Sequence, residues 1–435
     1  MSTDRRALRD VLAVRELRSL LAVRMVGQYS DGVFQAALFS AVFFNPERAT
    51  SASQAAVAFA TLLLPYSVVG PFAGVLLDRW RRQRVLRTGN LARAVAIGVF
   101  ATLLATLGPT SPPVVALALV VVSVNRFILS GLSAALPCVV DQRLLVTANS
   151  FTTTLGSGAA AAGGATGVGL TALLGAGDLG ASRASLVAAG LYVVAAVLAG
   201  RIARDLLGPL EPPVHERLRA ALAAVARGVG EGARHVRERG PAARGLAAIT
   251  AHRFFYGLSF VATLLLYTED GWIGLGLPGL GQVIVVSVVG GLLAALVTPR
   301  VTRRMGTQRW IVVVFAVAAV VEVVFGLPYT HEAFLVAAFF LGFAAQASKI
   351  CIDTLLQESV EDDYRGRVFS FYDTLFNVSF VLAAAASAFL LPPDGKSYLV
   401  IALVAGGYAV TALVYGVMTS RRAPLEPPEP VVVRD

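Results

Sequence analysis

The feature that most constrains this chain is a run of about twenty mostly apolar residues that returns twelve times. A hydrocarbon layer roughly 30 Å thick is crossed by about 20 helical residues, and a helix satisfies its own backbone polar groups where no water can. The runs fall near 20–44, 53–77, 86–107, 113–138, 147–174 and 184–203, then near 244–267, 279–298, 309–327, 332–356, 367–390 and 397–419. Turn residues separate them, among them Asn45-Pro46, Gly108-Pro109, Leu327-Pro328 and Leu391-Pro392-Pro393. The expected fold is an all-α membrane protein with twelve transmembrane helices in two pseudo-symmetric six-helix bundles.

With 56% of residues hydrophobic and only 15% charged, most soluble alternatives are excluded, since a soluble domain of this length carries far more charge. The net charge of +10 does not point to nucleic acid, because the basic residues sit in short clusters between apolar runs. Clusters so placed set topology, since Lys and Arg near span ends stay on the cytoplasmic face. One side holds Arg5, Arg6, Arg9, Arg15 and Arg18, then Arg79, Arg81, Arg82, Arg84 and Arg87, then Arg143, Arg300, Arg303, Arg304, Arg309, Arg365, Arg367, Arg421 and Arg422. The other side holds Arg48, Arg183 and Lys396. Both termini are therefore expected in the cytoplasm of a multi-pass cell-membrane protein. The basic amino terminus runs into an apolar stretch of full spanning length, so the first helix is expected to stay in the mature protein rather than leave as a signal peptide.

Chemistry has no anchor in the sequence. Cys138 and Cys351 are isolated, and His215, His235, His252 and His331 are scattered. No CxxC, P-loop, Gly-x-Ser-x-Gly or His-Glu-x-x-His pattern occurs. Neither an enzyme, a metal site nor a cofactor is expected.

The longest interruption, 205–240, divides the chain into an amino-terminal bundle (1–204) and a carboxy-terminal bundle (241–422), followed by a disordered tail (423–435). It opens with Pro209 and Pro212-Pro213 and closes at Gly240-Pro241. Within it Leu218, Leu222, Val225 and Val229 recur at helical spacing beside Glu216, Arg217, Arg219 and Arg227. That pattern fits either an amphipathic helix on an anionic lipid surface or a solvated tether.

The halves repeat one another. Asp78-Arg79-Trp80-Arg81-Arg82 after the second run has its counterpart in Pro299-Arg300-Val301-Thr302-Arg303-Arg304 after the eighth. Likewise the stretch from Leu136 to Asp141 can be laid over that from Leu356 to Glu361. On Gly70-Pro71-Phe72-Ala73-Gly74-Val75-Leu76-Leu77-Asp78-Arg79-Trp80-Arg81-Arg82 the chain resembles the major facilitator superfamily, within it the bacterial efflux branch of macrolide and siderophore exporters. Ser30-Asp31-Gly32, Arg126 with Gly131, and Arg365-Gly366-Arg367 are similar in position to further family motifs. Arg81 stands where the signature usually has Gly, and the fifth run has Gly156, Gly158, Gly163, Gly164, Gly167 and Gly169 but not the Gly-Pro pair of the antiporter motif. The resemblance implies a gating motif of Gly74, Asp78, Arg79, Arg82 and Arg367, with Asp78 facing the positive helix end near Gly366 to Val368.

Ionisable residues inside a span cost about 2.5 to 3.5 kcal/mol on insertion scales, so each is a functional candidate. Asp31 lies about 16 Å of helical rise into the first run, near mid-depth. It is suited to carrying a coupling proton, or to a fixed ion pair with Arg24 or Arg126 that orients the helix. Glu322, expected to face the periphery or an outer funnel, and Asp353 are the other candidate proton carriers. Arg24, Arg126 and Lys349 are candidate substrate or charge partners, with Lys349 and Asp353 spaced as an i,i+4 pair. Arg93, Arg253 and Asp373 are further intramembrane charges, and for Arg93 and Asp373 snorkelling or local pairing is the ordinary expectation. The span glycines read as close-packing positions, and Tyr29, Phe34, Phe254, Phe255, Tyr256, Phe371 and Tyr372 as possible cavity lining for a lipophilic compound. The expected function is secondary active transport, proton-coupled export of small amphipathic compounds by a monomer among membrane lipids. Uptake, lysolipid movement, or a non-transporting scaffold or sensor are the alternatives.

Overall fold

The computed structural model describes residues 14–43, 80–141, 145–175, 177–208, 218–268, 270–360 and 362–420, with isolated positions between 53 and 77. Among these residues the regular structure is helical. The helices are α1 (Arg15–Phe43), α2 (Arg82–Leu107), α3 (Pro112–Ala135), α4 (Leu145–Leu173), α5 (Gly177–Gly200), α6 (Leu218–Glu238) and α7 (Gly240–Tyr267). They continue with α8 (Gly276–Met305), α9 (Thr307–Gly326), α10 (His331–Ser359), α11 (Asp362–Leu390) and α12 (Tyr398–Ser420), and a 3-10 turn at Leu136–Cys138 extends α3. Most of the 53–77 run, Gly74, Asp78 and Arg79, the linker residues before 218 and the tail from 421 lie outside the described residues.

Sequence punctuation accounts for several boundaries. Pro112 and Pro113 open α3 where a proline costs no helix hydrogen bond, and Thr330 caps α10 by accepting from the Ala333 amide. Gly306, at φ 86°, makes the corner between α8 and α9 that an L side chain resists. Helix α8 runs through Pro299 to Met305, well beyond the apolar run read from the sequence.

Nine of the described helices are long and apolar enough to cross a membrane. Helices α1, α4 and α6 fall outside that set: α1 carries Arg24, Gln28 and Asp31, α4 is built largely from Gly, Ala, Ser and Thr, and α6 carries charged residues such as Arg227, Glu231 and Arg234 along its length. The outward residues agree with a lipid solvent. Val285, Val288, Leu292 and Leu296 of α8, and Val317, Val320 and Val324 of α9, are exposed at helical spacing.

Contacts divide the chain into two compact units, Met1–His235 with Gly257–Gly281 and Asp362–Ser397, and Val236–Tyr256 with Gln282–Glu361 and Tyr398–Asp435. In the first, α1 packs along α4 and α5, and α2 along α5 and α3. Among the described residues, besides a small cluster of Leu77 and Val85, its apolar interior includes two large ones. One gathers Leu17, Leu20, Val23, Leu86, Ile128 and Leu132, the other Val33, Phe34, Ile97, Phe100, Val121 and Tyr192. In the second unit α9 packs against α10 and α12.

Candidate functional site

Between the two apolar clusters of the first unit lies a polar layer that draws on four helices. Asp31 of α1 accepts from the Arg93 guanidinium of α2 at 2.6 Å, and its same Oδ1 accepts from the Tyr192 hydroxyl of α5. Arg93 also donates to Asn125 of α3 at 3.0 Å and to Asn90, one turn back on α2, at 2.6 Å. The guanidinium carbon sits 4.1 Å from the centre of the Tyr192 ring, so one tyrosine offers the cation its face and the carboxylate its hydroxyl. Asp31, Asn90, Arg93 and Asn125 are all buried.

This arrangement departs from the pairings expected of the sequence. Arg24 does not reach Asp31; two turns away along α1, it donates to Gln28 at 3.0 Å and to Thr153 of α4 at 3.5 Å. Arg126 is half-buried on α3, and its neighbour Asn125 takes the place facing Arg93. Arg93 is not a snorkelling residue but one of the largest fully buried side chains. The reason is helical phase. Leu86, Asn90, Arg93 and Ile97 share one face of α2, and that face turns inward. A hint was present in Asn90 and Arg93, two polar residues at i,i+3 in an otherwise apolar run.

Helix α1 can sit deep in this unit because of α4. A Cβ on Gly32 would lie 2.0 Å from the Ala160 carbonyl oxygen, one on Gly163 2.0 Å from that of Tyr29, and one on Gly167 2.8 Å from that of Val33. Glycine lets the two backbones touch there. Gly158, Gly164 and Gly169 have open space on their own Cβ side. The Tyr29 hydroxyl donates to Thr166 at 2.6 Å across the same seam. Phe34 packs into the core edge-on to Phe100, centroids 5.2 Å apart, rather than lining a cavity.

The second unit has a polar cluster of its own. His252 of α7 is buried with its ring against Phe315 of α9 and Tyr408 of α12, at 5.3 and 5.4 Å between centroids. Glu322 is buried on α9, contrary to the peripheral position expected, because Ile311, Phe315, Ala318 and Glu322 form the inward stripe of that helix. Arg253 stands 5.7 Å over the Tyr256 ring, and Glu322, Tyr256 and Arg253 all act electrostatically on Tyr408. On α10, Lys349 and Asp353 make a partly exposed 2.6 Å pair within one helix face. Beyond the spacing of Asn90 and Arg93, no sequence pattern marks Tyr192, Asn90, Asn125, His252 or Tyr408 as functional, since a lone polar residue in a span shows no partner until the helices are packed.

Of the residues assigned to gating by resemblance, Arg82 fastens the start of α2 to Ala134 and Leu207 carbonyls at 2.9 and 3.3 Å. Arg367 of α11 pairs with Glu231 of α6 at 2.8 Å, and a Cβ on Gly232 would lie 2.9 Å from the Arg367 backbone. The His235 and Tyr364 rings stack beside them at 4.2 Å. Elsewhere in the first unit Phe59, Phe260 of α7 and Phe380 of α11 meet, with centroids 5.1 to 5.8 Å apart. Among the described residues no cluster of three His, Cys, Asp or Glu side chains is placed to hold a metal ion.

A family model of the Major Facilitator Superfamily matches residues 25–384, and a second match covers 246–434. The chain belongs to that superfamily. A superfamily relative described as an uncharacterized MFS-type transporter, from Mycobacterium tuberculosis, is 36% identical over 422 residues, covering 96% of this chain and 94% of that protein. The fold is also that of the nucleoside transporter NupG, with a TM-score of 0.68 at 13% identity over 93% of this chain and 100% of that one. A bacterial homologue of the iron transporter ferroportin, in an inward-facing state, gives 0.65 at 15% identity over 94% and 99%. The protein is thus a multi-pass membrane transporter of the Major Facilitator Superfamily.

Proposed function

We propose that this superfamily member is a proton-coupled exporter of small amphipathic compounds, working by alternating access with both termini in the cytoplasm, and that Asp31 takes up and releases the coupling proton. The observation that carries this reading is the buried Asp31–Arg93–Tyr192 contact. Arg93 cannot release its proton under any physiological condition, so Asp31 is the titrating member of the pair. Protonating it removes a charge-assisted bond and leaves Arg93 buried with one partner fewer, a state that several helices relieve only by moving. Proton uptake is thereby tied to the balance between access states. The glycines of α4 are similar to the glycine-rich antiporter motif of exporters apart from its Gly-Pro pair, which supports the export direction, and their seam with α1 lies where movement of α1 would be guided. The Phe59, Phe260 and Phe380 cluster fits a closed aromatic gate, and the resemblance to the family signature assigns Gly74, Asp78, Arg79, Arg82 and Arg367 to a second gate on the cytoplasmic side.

The test is transport of a lipophilic cationic dye by protein in liposomes under an imposed proton gradient. Asp31→Asn should abolish proton-driven dye movement while dye exchange down its own gradient persists, and Asp31→Glu should retain part of the driven rate. Wild-type driven transport by Asp31→Asn would pass the role to Glu322 or Asp353.

A further inference from the structure

We propose that the groove between α7 and α12 in the second unit holds an acyl chain of an anionic phospholipid, with Arg244 on its phosphate. The groove encloses about 360 Å³. One wall is Ala243, Ala247 and Ala251 and the other Val410, Val414 and Met418, each set spaced by four residues and so aligned on one helix face. Small side chains facing larger ones leave a slot between the helices. The slot runs over the first turns of α7 and the last turns of α12, about 12 Å along the axis. Those ends of two membrane helices lie at the level of lipid headgroups, and Val410, Val414 and Met418 are half exposed toward the side where lipid tails run.

Arg244 stands at the mouth of the slot. A guanidinium has N–H donors on three nitrogens; among the described residues that of Arg244 makes one hydrogen bond, from NH1 to the Met418 carbonyl at 2.7 Å, and its Nε is buried without a partner. The lining contains no acid that would neutralise it. A cation with unused donors above an apolar slot matches a phosphodiester above an acyl chain, and the absence of a second charge among the described residues that line the slot selects a net anionic lipid over a zwitterionic one. This holds whatever the transported compound or its direction.

Native mass spectrometry of the full-length protein, released from detergent after adding phosphatidylglycerol or phosphatidylcholine, tests it. Wild type should retain phosphatidylglycerol about tenfold better, the scale of one charge-assisted bond, and should lose that preference as salt rises. Arg244→Gln should bring the two lipids level, and Ala247→Phe, which fills the slot, should reduce both. Val414→Phe serves the same purpose should Ala247→Phe fail to fold. Equal retention of both lipids by wild type, or retention unaffected by Arg244→Gln and by the filled slot, overturns the proposal. So does a dimeric mass with copy-to-copy cross-links through Val414, which would give the groove to a second copy of the chain.

Discussion

Arg93 and Asp31 form a 2.6 Å ion pair with 1% and 8% of their side chains exposed, held from a third helix by Tyr192. Removing one member of such a pair strands the other charge in a low-dielectric interior. Arg93→Gln should therefore destabilise the protein by about 3 to 5 kcal/mol, and adding Asp31→Asn should restore much of the loss. Melting temperatures of the two single variants and the double variant measure the coupling. Additive losses would mean that the two side chains do not depend on each other.

The glycines of α4 divide into two groups with different expected costs. Gly163→Ala places a Cβ 2.0 Å from the Tyr29 carbonyl oxygen and should lower the melting temperature by several degrees, as α1 and α4 are forced apart. Gly158→Ala meets nothing within 4 Å and should be neutral, or stabilising by up to about 1 kcal/mol through helix propensity. Equal effects at both positions would remove the seam as an explanation.

Docking of α6 on the start of α11 is expected to rest on shape more than on charge. The Glu231–Arg367 pair is roughly half exposed on both sides and should be worth no more than about 1 kcal/mol, so Glu231→Gln should leave stability nearly unchanged. Gly232→Val pushes into the Arg367 backbone and should lift the helix away. Limited trypsin digestion reads this directly, as faster cleavage at Arg227, Arg234 or Arg237 in Gly232→Val but not in Glu231→Gln.

Orientation is open to reporter fusions. Fusions after residue 210 and after residue 425 should both report cytoplasm, and fusions near residue 110 the outside. A cytoplasmic signal near 110 would overturn the arrangement of spans drawn from the arginine clusters.

By itself the sequence determined the class of solvent around this protein and carried the family motif between the second and third runs, because span length and apolar content are local properties that bilayer thickness turns into structure. It also marked Asp31 and the α4 glycines as unusual. Only the tertiary structure decided that Asp31 meets Arg93 rather than Arg24, that Glu322 turns inward, and that Tyr192, Asn125 and His252 belong to polar clusters. Helical periodicity places a residue on a face, but the partner of that face depends on which helices pack together and at what height. Those relationships join residues as far apart as Asp31 and Tyr192, and no local pattern in a single chain carries them.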